Sequence, residues 1–212
     1  MPKPRNDRFV SRAGEKLAHA LNAFHISPVG WICADLGANA GGFTDCLVQA
    51  GAAKVYAVER GYGVLDYRLR KDARVVVMER TDALHVSLPE PVRLVTIDVG
   101  WTRQSLILPV ARRLTLRPEA PGGAVQPADE PGEPQRTLIA PVCHVISLIK
   151  PHYEASPDEL TGGVLPDELT EHVVAPLRES LTSLGLKLLA ETESPLRGHA
   201  GNRELLWHLQ VM

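Results

Sequence analysis

Cysteine is scarce in this chain: Cys33, Cys46 and Cys143 stand far apart, with no CxxC pair and no histidine at zinc-ligand spacing. That rules against a disulfide framework or a metal knuckle, makes the cysteines small buried hydrophobes, and leads us to expect a reducing, cytoplasmic setting. No run of about 18 apolar residues occurs, and the basic start MPKPRNDR leads into no apolar stretch of signal-peptide length. Neither membrane spanning nor secretion is expected. Aromatic residues are 5% of the chain, so Phe43, Trp101 and Tyr153 read first as core or rim packing and only then as base-stacking groups. An excess of one charge is missing too: 23 Lys and Arg face 25 Asp and Glu. A polyanion site must therefore be a local patch, not a property of the whole molecule.

The 212 residues are 44% apolar and 23% charged, the balance of one ordinary globular domain. We expect a basic arm over residues 1–10, carrying Lys3, Arg5 and Arg8, followed by one domain over 11–212. Within it, residues 118–136 hold five Pro and three Gly with almost no apolar anchor, the composition of a solvated surface insertion. Around that stretch, β-rich runs at Trp31–Leu36, Lys54–Glu59, Val75–Glu79, Arg93–Val99 and His144–Lys150 alternate with helical patterns at Gly42–Ala50 and around Leu106–Leu114. Such alternation predicts an α/β fold with a parallel sheet. A helix over about 166–184 and strands near Leu186–Thr192 and Glu204–Val211 follow, predicting an antiparallel hairpin at the sheet edge.

The strongest local signal is ADLGANAGGFT at 34–44, where a buried strand ends in Asp-x-Gly and a Gly pair opens a helix. Glycines there let a ligand approach the backbone closely. A dinucleotide loop would read GxGxxG, but Asn39 stands where the middle Gly belongs, which disfavours a pyrophosphate and an NAD-dependent oxidoreductase. S-adenosylmethionine, with an amino-acid end and a nucleoside end, fits better. Asp35, Gly37, Ala38, Asn39, Gly41, Gly42 and Phe43 would form its loop. Glu59, closing the second strand, would take the ribose hydroxyls, and Asp82, after the third, the adenine amino group. Taken singly, Asp35 and Glu59 also read as solvated loop acids and Asp82 as a helix cap.

The segments SRAGEKL (11–17), GGFTDCL, VYAVERGYGVLDYRLR, PEPVRLVTIDV (89–99), LIKPHYE (148–154), GGV (162–164) and GNREL (201–205) resemble the FtsJ-like ribose methyltransferases and, more closely, their haemolysin (TlyA-type) branch. The resemblance implies a Rossmann-like S-adenosylmethionine-dependent methyltransferase with a seven-stranded, mostly parallel sheet and an antiparallel edge strand. It also implies a Lys-Asp-Lys-Glu set acting on a ribose 2′-hydroxyl of RNA, ribosomal RNA or a ribosomal subunit being the expected partner. Matched motif by motif, that set is Lys16, Asp98, Lys150 and Glu204, with Asp98 also beside the cofactor. A sugar hydroxyl is a poor nucleophile at neutral pH, and Lys is the side chain most readily tuned to accept a proton, so Lys150 is assigned as the base. Asp98 either orients it or faces the transferring methyl. Read one by one, Lys16 is a helix-surface lysine, Lys150 and Glu204 a strand-end salt bridge, and Asp98 a turn acid.

Three departures accompany the resemblance, one of them Ala13 where the family usually has Gly. Only about ten residues precede SRAGEKL, where TlyA-type enzymes carry a small RNA-binding domain, so such a domain is expected to be lacking. Gly100-Trp101-Thr102 also follows Asp98 where the family tends toward Ser-Phe. These features keep two alternatives open, a methyltransferase with a non-RNA acceptor and a non-catalytic RNA-binding factor. Retention of all four motif residues argues against the second, and the lack of a spanning or basic amphipathic segment argues against a membrane-active protein.

Overall fold

The computed structural model describes residues 8–115 and 142–212. The insertion at 118–136 and most of the basic arm lie outside the described residues. In chain order the elements are α1 (Ala13–Ala23), β1 (Ile32–Leu36), α2 (Gly42–Gln49), β2 (Lys54–Val58), α3 (Tyr67–Lys71), β3 (Val75–Met78), β4 (Leu94–Ile97), α4 (Gln104–Thr115), β5 (His144–Ile149), α5 (Pro151–Glu154), α6 (Thr170–Ser180), β6 (Leu186–Glu193) and β7 (Leu205–Val211).

These strands form one seven-stranded sheet in the order β3-β2-β1-β4-β5-β7-β6. The first five are parallel, and β7 runs antiparallel to both β5 and β6. The expected closing hairpin is therefore present, with its second strand inserted between β5 and the edge. The central strands ICADL, LVTI and HVISLI are apolar almost throughout because helices cover both faces, which leaves no residue to alternate toward water. At the edge, β6 alternates buried and exposed residues instead.

Two apolar layers result. Leu17, Leu21, Phe43, Leu47 and Leu206 pack α1 and α2 on one face, while Ile107, Leu108, Val174 and Trp207 pack α4 and α6 on the other. Successive side chains of β7 point to opposite faces, so Leu206 joins the first layer and Trp207 the second. Strand order reverses between β1 and β4, and the crevice at their C-terminal ends is where such sheets take ligands. The helix expected over 166–184 is shorter in the structure: a 3-10 turn at Asp167–Leu169 leads into α6, which carries Pro176 within it.

A glycine at the start of α2 lets α1 approach it. A Cβ on Gly42 would meet the Ser11 hydroxyl, the Gly14 nitrogen at 2.8 Å and Ala13 Cβ at 2.9 Å. Gly42→Ala should push α1 outward and, despite the better helix propensity of Ala, lower stability by about 1–3 kcal/mol. Urea unfolding measures this; an unchanged midpoint would show that the helix pair tolerates the added methyl.

Candidate active site

The glycine loop leaves β1 with Gly37, Asn39 and Gly41 all in the left-handed region, at φ of 86°, 50° and 99°. Gly37 is required sterically as well, since a Cβ there would lie 2.7 Å from the carbonyl oxygen of Asp98. The loop is anchored on β2: Gly37 and Ala38 donate their amides to the Val58 carbonyl at 3.0 and 2.9 Å. Glu59, the next residue, accepts from the Asn39 amide at 2.8 Å and from the Gly61 amide at 2.6 Å. Gly41 then caps α2, whose first amides have no intrahelical acceptor.

Three of the residues expected at the ligand have buried side chains. Asp35 is fully buried, accepting from Thr44 Oγ1 at 2.7 Å and Thr96 Oγ1 at 3.0 Å. Its carboxyl ties α2 and β4 to β1 and does not face the crevice; burial pushes it up to about 7, against the two hydroxyls that favour the charged form. The side chains of Ala38 and Phe43 lie in the core, so these residues present only backbone to a ligand. Asp82 caps the 3-10 turn Ala83–His85 by accepting from the Leu84 amide at 2.9 Å, and Thr81 beside it donates to the Glu59 carbonyl at 3.0 Å.

Lys16, Asp98, Lys150 and Glu204 are distant in sequence, and the fold gathers them as two ion pairs at the C-terminal edge of the parallel strands. Lys150 Nζ lies 2.6 Å from Asp98 Oδ1 and also donates to the Val99 carbonyl at 3.0 Å, which engages two of its three ammonium hydrogens. Lys16 pairs with Glu204, and their side chains are 7% and 4% exposed. Lys16 is thus a buried residue of α1 and not a helix-surface lysine. The register Ile149↔Leu205 sets Lys150 and Glu204 on neighbouring strand ends, yet each finds its opposite charge elsewhere, so the plain strand-end bridge that the two residues suggest one by one is not formed.

Other motif residues support this cluster. Asn202 accepts from the Leu165 amide at 3.0 Å and donates to the Gly163 carbonyl at 3.1 Å, which joins the GNREL segment to the GGV turn. A Cβ on Gly198 would collide with the Glu204 carboxylate. Behind Lys150, Glu154 accepts from the Gln104 amide at 2.7 Å, and burial raises its carboxyl above the usual range. A cavity of about 360 Å³ between α4 and α6 is lined by Glu154, Ser105, His172 and Leu177.

At the mouth, Trp101 is 88% exposed, with φ of 60°, and stacks on Tyr153 at a ring separation of 5.0 Å. Tyr153 in turn lies with its ring centre 5.7 Å from Lys150 Nζ and 4.2 Å from the ring of His152, which burial and the Lys150 charge push down to about 4. Of the three aromatics weighed from the sequence, Phe43 is core and the Trp101–Tyr153 pair forms the rim.

A family model described as FtsJ-like methyltransferase matches residues 9–211. The 16S/23S rRNA (cytidine-2'-O)-methyltransferase TlyA of Mycobacterium tuberculosis is 35% identical over 206 residues, covering 94% of this chain and 68% of that protein. YqxC of Bacillus subtilis is 35% identical over 95% of this chain, which spans 66% of its length. A solved structure from Streptococcus thermophilus, named for haemolysin, superimposes with a TM-score of 0.83 at 29% identity over 99% of this chain and 70% of its own. An S-adenosylmethionine dependent methyltransferase from Mesorhizobium loti shares the fold, with a TM-score of 0.60 at 15% identity over 95% of this chain and 99% of that one.

The buried Asp35 makes a signed pH prediction. Its carboxyl lies at about 7 in the fold, above the ordinary 3.8, so the folded state holds a proton that the unfolded chain releases. Stability attributable to it is present below the ordinary value and declines as pH rises through that window. Thermal unfolding should show a steeper decline in the wild type than in Asp35→Asn across that window; parallel Tm profiles would refute it.

Proposed function

The chain belongs to the FtsJ-like methyltransferase family, and on that premise we propose that it methylates a ribose 2′-hydroxyl of ribosomal RNA with S-adenosylmethionine as donor. The observation that carries this reading is the convergence of Lys16, Asp98, Lys150 and Glu204 beside the glycine loop, at the edge where Gly37 touches the Asp98 carbonyl. The name of the Mycobacterium tuberculosis relative supports the cytidine ribose as the acceptor class.

The site suits the cofactor. Residues 37–43 contain no cation to neutralise a pyrophosphate, while the first turn of α2 offers amides to a carboxylate. Each Glu59 oxygen accepts one amide, and a carboxylate has about four acceptor positions, so two remain for ribose hydroxyls. Asp82 keeps one oxygen for the adenine amino group. When bound, S-adenosylmethionine supplies an electrophilic methyl on its sulfonium sulfur.

Lys150 Nζ, after its ammonium has lost a proton to solvent, accepts the proton as the 2′-hydroxyl oxygen attacks, and Asp98, at 2.6 Å, stabilises the ammonium that re-forms. Lys16, held neutral as a pair by Glu204, adds a donor for the acceptor sugar without adding net charge. The exposed face of Trp101, fixed against Tyr153, offers a surface on which the acceptor base stacks and which holds the hydroxyl in line with the methyl, about 3 Å away. None of the helices among the described residues is long and apolar enough to cross a membrane.

Transfer of labelled methyl to purified ribosomal subunits, followed by nuclease digestion, tests the reading. We expect label on a 2′-O-methyl nucleotide, lost in Lys150→Ala by at least about a hundredfold while S-adenosylmethionine still binds. Label on a base or a protein would overturn it. Trp101→Ala should raise the KM for RNA by a factor of about 5 to 100, the equivalent of one stacked base, and leave the KM for S-adenosylmethionine unchanged.

A further inference from the structure

The segment 60–66, between β2 and α3, folds over the glycine loop and is fastened at both ends. Asp66 donates its amide to the Ala40 carbonyl at 3.1 Å, and Leu65 is buried against Gly41, where a Cβ would lie 2.8 Å from Leu65 Cδ1. At the near end Gly61 donates to Glu59, the residue that also takes the Asn39 amide.

Arg80 holds the first half of the segment, its amide donating to the Gly61 carbonyl at 3.1 Å and its guanidinium lying 4.1 Å over the Tyr62 ring, and Glu79 holds the second half. Glu79, just beyond β3, accepts the amides of Gly63 and Val64 at 3.0 Å each and of Leu65 at 3.3 Å. It also pairs with Arg70, whose Nε donates to the Leu65 carbonyl at 2.9 Å. Three successive amides on one carboxylate make a turn that cannot open without stranding that charge, and the Glu79 side chain is 6% exposed. The amide donors hold its carboxyl down at about 2, so the latch stays ionised through the neutral range.

From this geometry we infer that Glu79 is a positioning residue for the nucleoside end of the cofactor, acting through segment 60–66 on Glu59. The inference rests on the cofactor reading proposed above and assigns a role to a residue outside the glycine loop and the four-residue cluster. Glu79 touches no reacting atom in this account. Glutamine in its place keeps the size but loses the charge that gathers three amides, so residues 63–65 loosen and Gly61, left with the Arg80 amide as its tie, holds Glu59 toward Asn39 less firmly.

Calorimetric titration of S-adenosylhomocysteine and of adenosine into wild type, Glu79→Gln and Glu79→Asp tests it. We expect Glu79→Gln to weaken both ligands on the order of tenfold, about the loss of one hydrogen bond to a charged group. The KM for RNA should stay unchanged, and Glu79→Asp should recover part of the affinity. Amide hydrogen exchange of residues 60–66 in the wild type supplies a readout independent of any variant's folding, with slower exchange expected when S-adenosylhomocysteine is added. Wild-type affinity in Glu79→Gln, or exchange in 60–66 indifferent to ligand, overturns the assignment alone. Failure of the wild type to bind either ligand overturns the cofactor reading and the assignment with it.

Discussion

A lysine and a glutamate leave water together only if each replaces the other's solvent, and the Lys16–Glu204 pair imposes that condition on the whole chain. Removing either partner from such a buried pair costs about 3–5 kcal/mol, because the remaining charge is left without compensation. The pair joins α1, near the start of the chain, to the residue just before β7, 188 residues later. For it to form, α1 must lie close on α2, which is why a glycine stands at Gly42, and β7 must enter the sheet next to β5. The antiparallel insertion of β7 then sets Glu204 beside Lys150.

The second pair, Lys150 with Asp98, depends on the same placement but is more open, at 14% and 20% exposure. Two lysines and two carboxylates within one crevice sum to zero charge. Such a site can hold a polar sugar and move a proton without attracting phosphate by its net charge, so attraction for an RNA backbone has to come from cations outside it. That agrees with a chain whose charges nearly balance overall.

Much of this was legible in the sequence. The five parallel strands were marked to within one or two residues, because buried parallel strands are short apolar runs bounded by turn residues. The glycine loop was visible because left-handed backbone and close approach leave few residue choices. Asp35, Ala38 and Phe43 were read as cofactor contacts from their place in the motif, and their side chains proved to be buried. A motif marks where the chain passes a ligand, but which way a side chain points depends on the sheet and helix packed around it. Glu79 carried no signal at all, since an acid at a strand end reads as solvated until three amides from another loop are seen on it.

What the sequence by itself determined is the α/β class, the succession of strands along the chain, the position of the glycine loop and the family to which the chain belongs. These follow from periodicity, turn chemistry and motif spacing, which act between near neighbours along the chain. What only the tertiary structure decided is the pairing of charges: Lys16 with Glu204 instead of water, Lys150 with Asp98 instead of Glu204, and Trp101 on Tyr153 in solvent instead of in the core. Each is a choice among partners distant in sequence, and it is made by strand register and by the cost of burying an unpaired charge, neither of which is a property of a local segment.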